Sequence, residues 1–154
     1  MIKASELRIG SQIQYKDSEK ENSKIKIATV RALYPSTLLI SIDAKEEVVR
    51  YDECDGIPLT EEWLLKFGFK KWGRDDIPRT VTYQLGWINI FPAQKYFGFN
   101  GYGFMYYKEN GKEYAHTVIQ FFHQLQNLIF GLTREDIVEG YYIPNMQDGP
   151  ATSN

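Results

Sequence analysis

The stretch VIQFFHQLQNLIFGL, residues 118–132, decides the fold class, because it is the one long segment whose apolar residues recur at helical spacing. At 100° per residue, Val118, Phe121, Phe122, Leu125, Leu128, Ile129 and Leu132 fall within an arc of about 120°, the width of a core-facing stripe. The spacing predicts a helix from about Val118 to Phe130, stopped by Gly131. Thr133 then opens a last turn, with Asp136 three residues on and Leu132 and Ile137 at staple positions.

Upstream of it the period changes. Ser5 predicts a capped turn ending at Gly10, and strands follow at Ser11–Lys16, Lys24–Tyr34, Thr37–Asp43 and Glu46–Asp52. Thr60 caps a short helix with Glu61 and Glu62 at its electropositive end, and Gly68 closes it. Val81, Tyr83, Leu85 and Trp87 alternate along the next strand, which puts Trp87 in the sheet core beneath the helix. Asn110-Gly111 predicts a two-residue hairpin in which Lys108 faces Glu113 and Tyr107 faces Tyr114. The fold expected is α+β: an N-terminal small β-barrel or curled sheet, SH3-like in size, packed with an antiparallel sheet and one long C-terminal helix. Residues 1–143 read as a single compact domain, divided into a β-rich subdomain at 1–58 and an α+β subdomain at 59–143. Residues 144–154 read as a flexible tail.

Composition narrows the function. The charge is −2, so no strong global field draws in nucleic acid or an anionic membrane. Residues 1–79 carry 14 basic and 14 acidic side chains, and residues 80–154 only 4 and 6, so the second half supplies most of the core. Gln120, His123, Gln124, Gln126 and Asn127 interrupt the most apolar run, which argues against a membrane span. The N-terminus lacks the apolar core of a signal peptide, and Cys54 is alone, so the expected location is the cytoplasm, with no disulfide. Cys54 has no His or Asp signature around it and reads as a structural thiol.

Enzyme signals are weak. No nucleophile elbow, phosphate-binding loop or His-Glu-x-x-His is present, so no catalytic residue and no cofactor are assigned. Gly98, Gly101 and Gly103 are not followed by the helix N-terminus that a phosphate cradle needs. His116 and His123 lack evident partners, so no metal ligand is assigned either.

Two stretches remain as binding candidates. GYGFMYY (101–107) fits the main RNA-recognition signature except that Asn100 replaces the leading cation, so Tyr102, Phe104 and Tyr106 could stack bases from an open sheet face. The helix offers a different clue. Gln120, His123, Gln124 and Asn127 form a polar arc with no formal charge, whereas a solvated helix face ordinarily carries Lys, Glu or Arg. Such a face packs on something, either this chain's N-terminal half or another chain.

Three segments, ASELRIGSQIQY (4–15), GIPLTEEWLLKFGF (56–69) and HQLQNLIFGLTREDI (123–137), resemble an uncharacterised family of small proteins from bacteriophages and Bacteroidetes prophages. The third is the most specific. The pattern departs at Gly131, where Ala is usual, and at Arg134, where Gly is usual. The resemblance implies a phage or prophage protein and carries no catalytic or ligand residue. Together these features favour a non-enzymatic protein-interaction module in a bacterial host, acting on a host protein or self-associating through Gln120, His123, Gln124 and Asn127. The alternative is a single-stranded nucleic-acid binder using Tyr102, Phe104 and Tyr106.

Overall fold

The computed structural model describes residues 2–16, 24–73, 81–93, 100–107 and 113–137. It is α+β, with two antiparallel five-stranded sheets and one 12-residue helix near the C-terminus. Contacts divide the chain into two compact units, Met1–Pro58 with Phe121–Ile137, and Leu59–Gln120 with Val138–Asn154. The sequence division at residue 58 counted the long helix with 59–143; by contact it groups with residues 1–58. The proposed tail at 144–154 lies outside the described residues.

The first unit is a sheet in the order β4-β3-β2-β1-β5. Its strands are β1 (Gln12–Tyr15), β2 (Lys26–Leu33), β3 (Thr37–Ile42), β4 (Lys45–Arg50) and β5 (Cys54–Asp55). The sheet is open, so the barrel expectation resolves into an open sheet. Alternation explains its single buried face: Ile13 and Tyr15, Ala28 and Val30, and Leu38, Ile40 and Ile42 all point inward. Ser5 does not act as a cap. It lies inside a single 3-10 turn, Ala4–Glu6, preceded by Lys3 in extended conformation.

The β3–β4 hairpin carries local strain. Ile42 pairs with Lys45, leaving a two-residue turn, Asp43-Ala44, with both φ angles positive at 49° and 64°. That is the type I′ pattern, in which alanine is disfavoured because its Cβ crowds the following carbonyl. Ala44→Gly is expected to raise the unfolding free energy by about 0.5–1.5 kcal/mol, seen as a higher denaturation midpoint. An unchanged or lower midpoint would contradict the turn assignment.

The second unit has the order β10-β9-β8-β7-β6. Its strands are β6 (Lys70–Trp72), β7 (Thr82–Leu85), β8 (Ile88–Pro92), β9 (Tyr102–Tyr107) and β10 (Glu113–Ile119). Helix α1 (Glu61–Lys66) begins where expected, with the Thr60 hydroxyl accepting from the Trp63 N–H at 3.4 Å. Glu61 does more than favour the helix dipole. It accepts from Lys71 Nζ at 2.8 Å and from the Tyr83 hydroxyl at 2.7 Å, tying α1 to β6 and β7.

Two sequence expectations fail in this unit. Trp87 is not in the sheet core. It is half-buried in the two-residue turn Gly86-Trp87, where Gly86 takes the positive φ (57°) that joins β7 to β8. The expected hairpin register holds only in part. Thr117 faces Phe104 and Ile119 faces Tyr102 as that register requires, but Glu113 faces Tyr107 and Tyr114 faces Tyr106. A bulge between Ala115 and Thr117 inserts one residue and displaces everything on the turn side by one position.

The long helix, α2 (Phe122–Thr133), starts and stops later than its spacing suggested. Val118 and Ile119 are strand residues paired with Gly103 and Tyr102, and Val118 is 39% exposed, so Val118 is not on the buried helix face. Gly131 does not end the helix; nothing lies within 4 Å of where its Cβ would be. The end comes at Arg134, in the left-handed conformation (φ 64°) usually taken by glycine, with its N–H donating to the Phe130 carbonyl. Thr133 caps no further helical turn; its hydroxyl donates back to the Ile129 carbonyl at 2.9 Å and accepts the Glu135 N–H at 3.1 Å.

Candidate functional site

The polar side of α2 is occupied within the first unit. Its buried residues are Phe122, His123, Leu125, Gln126 and Ile129, so the buried arc is rotated from the apolar stripe toward Gln126 and His123. Leu132, near the middle of the stripe, is left 38% exposed. The reason is visible at Gln126, which is 3% exposed. Its Oε1 accepts from the Gln12 N–H at 2.8 Å and its Nε2 donates to the Gly10 carbonyl at 3.3 Å. Strand β5 covers β1 only opposite Gln14 and Tyr15, so the Gln126 amide continues the pairing where β5 stops.

The neighbouring residues extend this contact. Asn127 Nδ2 donates to the Glu6 carbonyl at 2.8 Å. Arg8 lies over the Phe130 ring at 4.4 Å and pairs with Asp136 at 2.5 Å. Residues 6–12 and 123–136 fall in two of the three sequence segments quoted above, 4–15 and 123–137. The third enters through Gly56, where a Cβ would meet the Phe121 ring at 2.6 Å and His123 Cε1 at 3.0 Å. These motifs are therefore one another's packing partners.

The four residues picked out as a partner face do not form one exposed surface. Asn127 is half-buried against Glu6, and His123 is fully buried. Gln124 folds back so that its Oε1 accepts the Phe121 N–H at 3.2 Å, capping its own helix. Gln120 precedes the helix, is exposed, belongs to the second unit and donates to the Asn100 carbonyl at 3.1 Å. Of the two contacts the sequence allowed for this face, internal packing accounts for His123 and Asn127. Gln126, the residue with most contacts to the N-terminal segment, was missed. Its spacing from Phe122 (i+4) and Ile129 (i−3) could have placed it on the buried stripe.

His123 is unusual chemically. Its ring stacks on Phe121 at 5.7 Å, and neither ring nitrogen has a hydrogen-bond partner among the described residues. Burial lowers its pKa from the ordinary 6.5, with Glu6 acting weakly in the other direction. The unfolded chain therefore takes up a proton at a higher pH than the folded one. Stability from this residue is complete above pH about 6.5 and falls as the pH drops below it, by at most about 1.4 kcal/mol per pH unit. The urea midpoint is expected to fall between pH 7.5 and 5.5, a window in which ordinary carboxylates stay ionised, and His123→Leu should flatten that fall. An equal fall in the variant would assign the acid sensitivity elsewhere.

Among the described side chains of the aromatic strand, Phe104 is buried and Tyr102 half-buried. Phe104 is 4% exposed and pairs across the sheet with Ile90, which is fully buried. Tyr102 is half-buried and meets Tyr83 edge-on at 5.8 Å. The side chain of Tyr106 lies outside the described residues. The glycine beside them has a packing role: a Cβ on Gly103 would lie 2.4 Å from the Phe91 ring, which covers it from the adjacent strand. Gly98, His116 beyond its backbone, and Asn110-Gly111 lie outside the described residues.

Cys54 is fully buried, and its thiol pKa is pushed up to about 12, first by burial and then by the carboxylates of Glu53, Asp55 and Asp52. It stays protonated and is no nucleophile at neutral pH. Among the described residues no group of three or more His, Cys, Asp or Glu is placed to hold a metal ion, and no helix is long and apolar enough to cross a membrane.

The more suggestive surface is on the first sheet, on the face opposite its core. Ile25 and Val48 are each 61% exposed, and Ile27 is 44% exposed. Strand β4 ends the sheet and, among the described residues, pairs only with β3. A groove of about 450 Å³ beside its turn is lined by Lys26, Ile42, Asp43, Lys45, Glu46 and Glu47, with charges of both signs. No protein-family model, curated protein or solved structure matches this chain.

Proposed function

We propose that the chain is a non-enzymatic protein-interaction module of phage or prophage type, working in the cytoplasm of a bacterial host. The phage assignment rests on the resemblance of residues 4–15, 56–69 and 123–137. The interaction reading is carried by one observation: exposed apolar side chains, Val48 above all, stand on a sheet face that ends in a six-residue strand paired on one side only among the described residues. Scattered exposed apolar residues are ordinary. A strand edge beside them adds a row of backbone groups that can template another strand. The burial of Phe104 counts against the base-stacking alternative.

A pull-down from host extract with the unmutated chain and with Val48→Lys tests the reading. Residue 48 is exposed, so the substitution should leave thermal melting within about 1 °C while a retained protein is lost. If the chain retains nothing and does not self-associate, the interaction reading is wrong.

A further inference from the structure

We infer that β4 pairs antiparallel with β4 of a second copy, about a two-fold axis at Val48, which joins two five-stranded sheets edge to edge. This rests on the interaction-module reading and specifies its partner. The hairpin geometry shows which backbone groups of β4 are not bonded to β3, the strand it pairs with among the described residues. In a two-residue hairpin the closing pair exchanges both hydrogen bonds, and bonded and non-bonded pairs alternate from there. The closing pair is Ile42 and Lys45, so Lys45, Glu47 and Val49 bond to β3, while Glu46, Val48 and Arg50 turn their N–H and C=O outward. Two observations agree with this. The Thr37 carbonyl, opposite Arg50, accepts from the Tyr34 N–H at 2.9 Å, and the Arg50 N–H donates to Glu53 Oε2 at 2.9 Å. The edge therefore offers its Glu46 and Val48 backbone groups to an incoming strand.

The side chains on the outer face choose that strand. Glu46, Val48 and Arg50 run acid, apolar, base at a spacing of two. Charges on an edge strand ordinarily keep it from pairing. Here one register turns them into attractions: with Val48 opposite Val48, each Glu46 faces the Arg50 of the other copy, and both pairs lie on one face. Moving the axis by one residue puts Glu47 against Glu47 in one direction and Arg50 against Val48 in the other. Arg50 is 71% exposed at its side chain and rests on Asp52 of its own chain, within reach of a carboxylate across the edge. The contact is isologous, so it closes as a dimer and does not propagate into a fibre.

Sedimentation of the full chain from about 5 to about 500 µM tests this, the range in which a small interface associates. A monomer–dimer equilibrium is expected. Glu46→Arg and Arg50→Glu should each weaken it by about tenfold, and the double swap, which restores opposite charges in the same register, should return it to within about threefold. Val48→Pro gives an independent arm, because residue 48 donates no hydrogen bond to β3. It should be monomeric with an unchanged fold by circular dichroism. A chain that stays monomeric throughout, or a dimer that survives both Val48→Pro and the single charge reversals, overturns the inference. A monomer that still holds a host protein through Val48 overturns the self-pairing while leaving the interaction module intact.

Discussion

Leu125→Ala should lower the unfolding free energy by about 2–5 kcal/mol, a large part of what a domain of this size has to lose. Leu125 is fully buried, as are Phe122 and Ile129 on the same stripe, and α2 packs against β1 at the centre of the first unit. Removing three side-chain carbons there loses their transfer energy and leaves a cavity that close-packed surroundings fill only in part. Urea unfolding measures the difference directly. A loss under about 0.5 kcal/mol would mean that Leu125 does not sit in a packed core.

Gln126→Leu should cost about 2–4 kcal/mol, although it replaces a polar residue by an apolar one of similar volume at a buried position. Leucine cannot accept from the Gln12 N–H or donate to the Gly10 carbonyl, and each buried backbone group left without a partner costs about 1–3 kcal/mol. A hydrophobic-burial argument alone gives the opposite sign, so the two accounts separate cleanly. If the variant unfolds at a higher urea concentration than the unmutated chain, the side-chain bridge from α2 to β1 is not formed. Hydrogen exchange at Gln12 gives a second, local reading of the same contact.

How far the sequence could be read depended on which signals were local. Period-two alternation located β1 to β4 within a residue or two at each end, and Thr60 and Gly68 marked the ends of α1 correctly. Where a long-range partner decided the outcome, local spacing misled. Val118 continues the helical stripe, but β9 takes it and Ile119 as strand partners, and their β-branched side chains suit a strand equally well. Trp87 continues an alternation that Gly86 has already ended by turning the chain. Strands β6 and β8 are short and carry no distinctive pattern, so they went unread. At the candidate site, the absence of charge on Gln120, His123, Gln124 and Asn127 signalled a contact. Nothing in the residues themselves could say that Glu6 and Phe121 would take up two of them. The edge of β4 was legible as a strand, but its being last in the sheet is a property of topology alone.

The uncharged face of α2 bonds the N-terminal segment within the first unit, and we propose that association belongs to the sheet edge instead. Asn127→Asp tests it most directly, because the substitution keeps the shape and replaces the group that donates to the Glu6 carbonyl by a carboxylate oxygen. Urea unfolding of this variant is expected to show a loss of about 1–3 kcal/mol, from a buried carbonyl facing a charge it cannot bond, with self-association of the folded chain unchanged. Unchanged stability together with lost association would contradict the account and return the working surface to the helix.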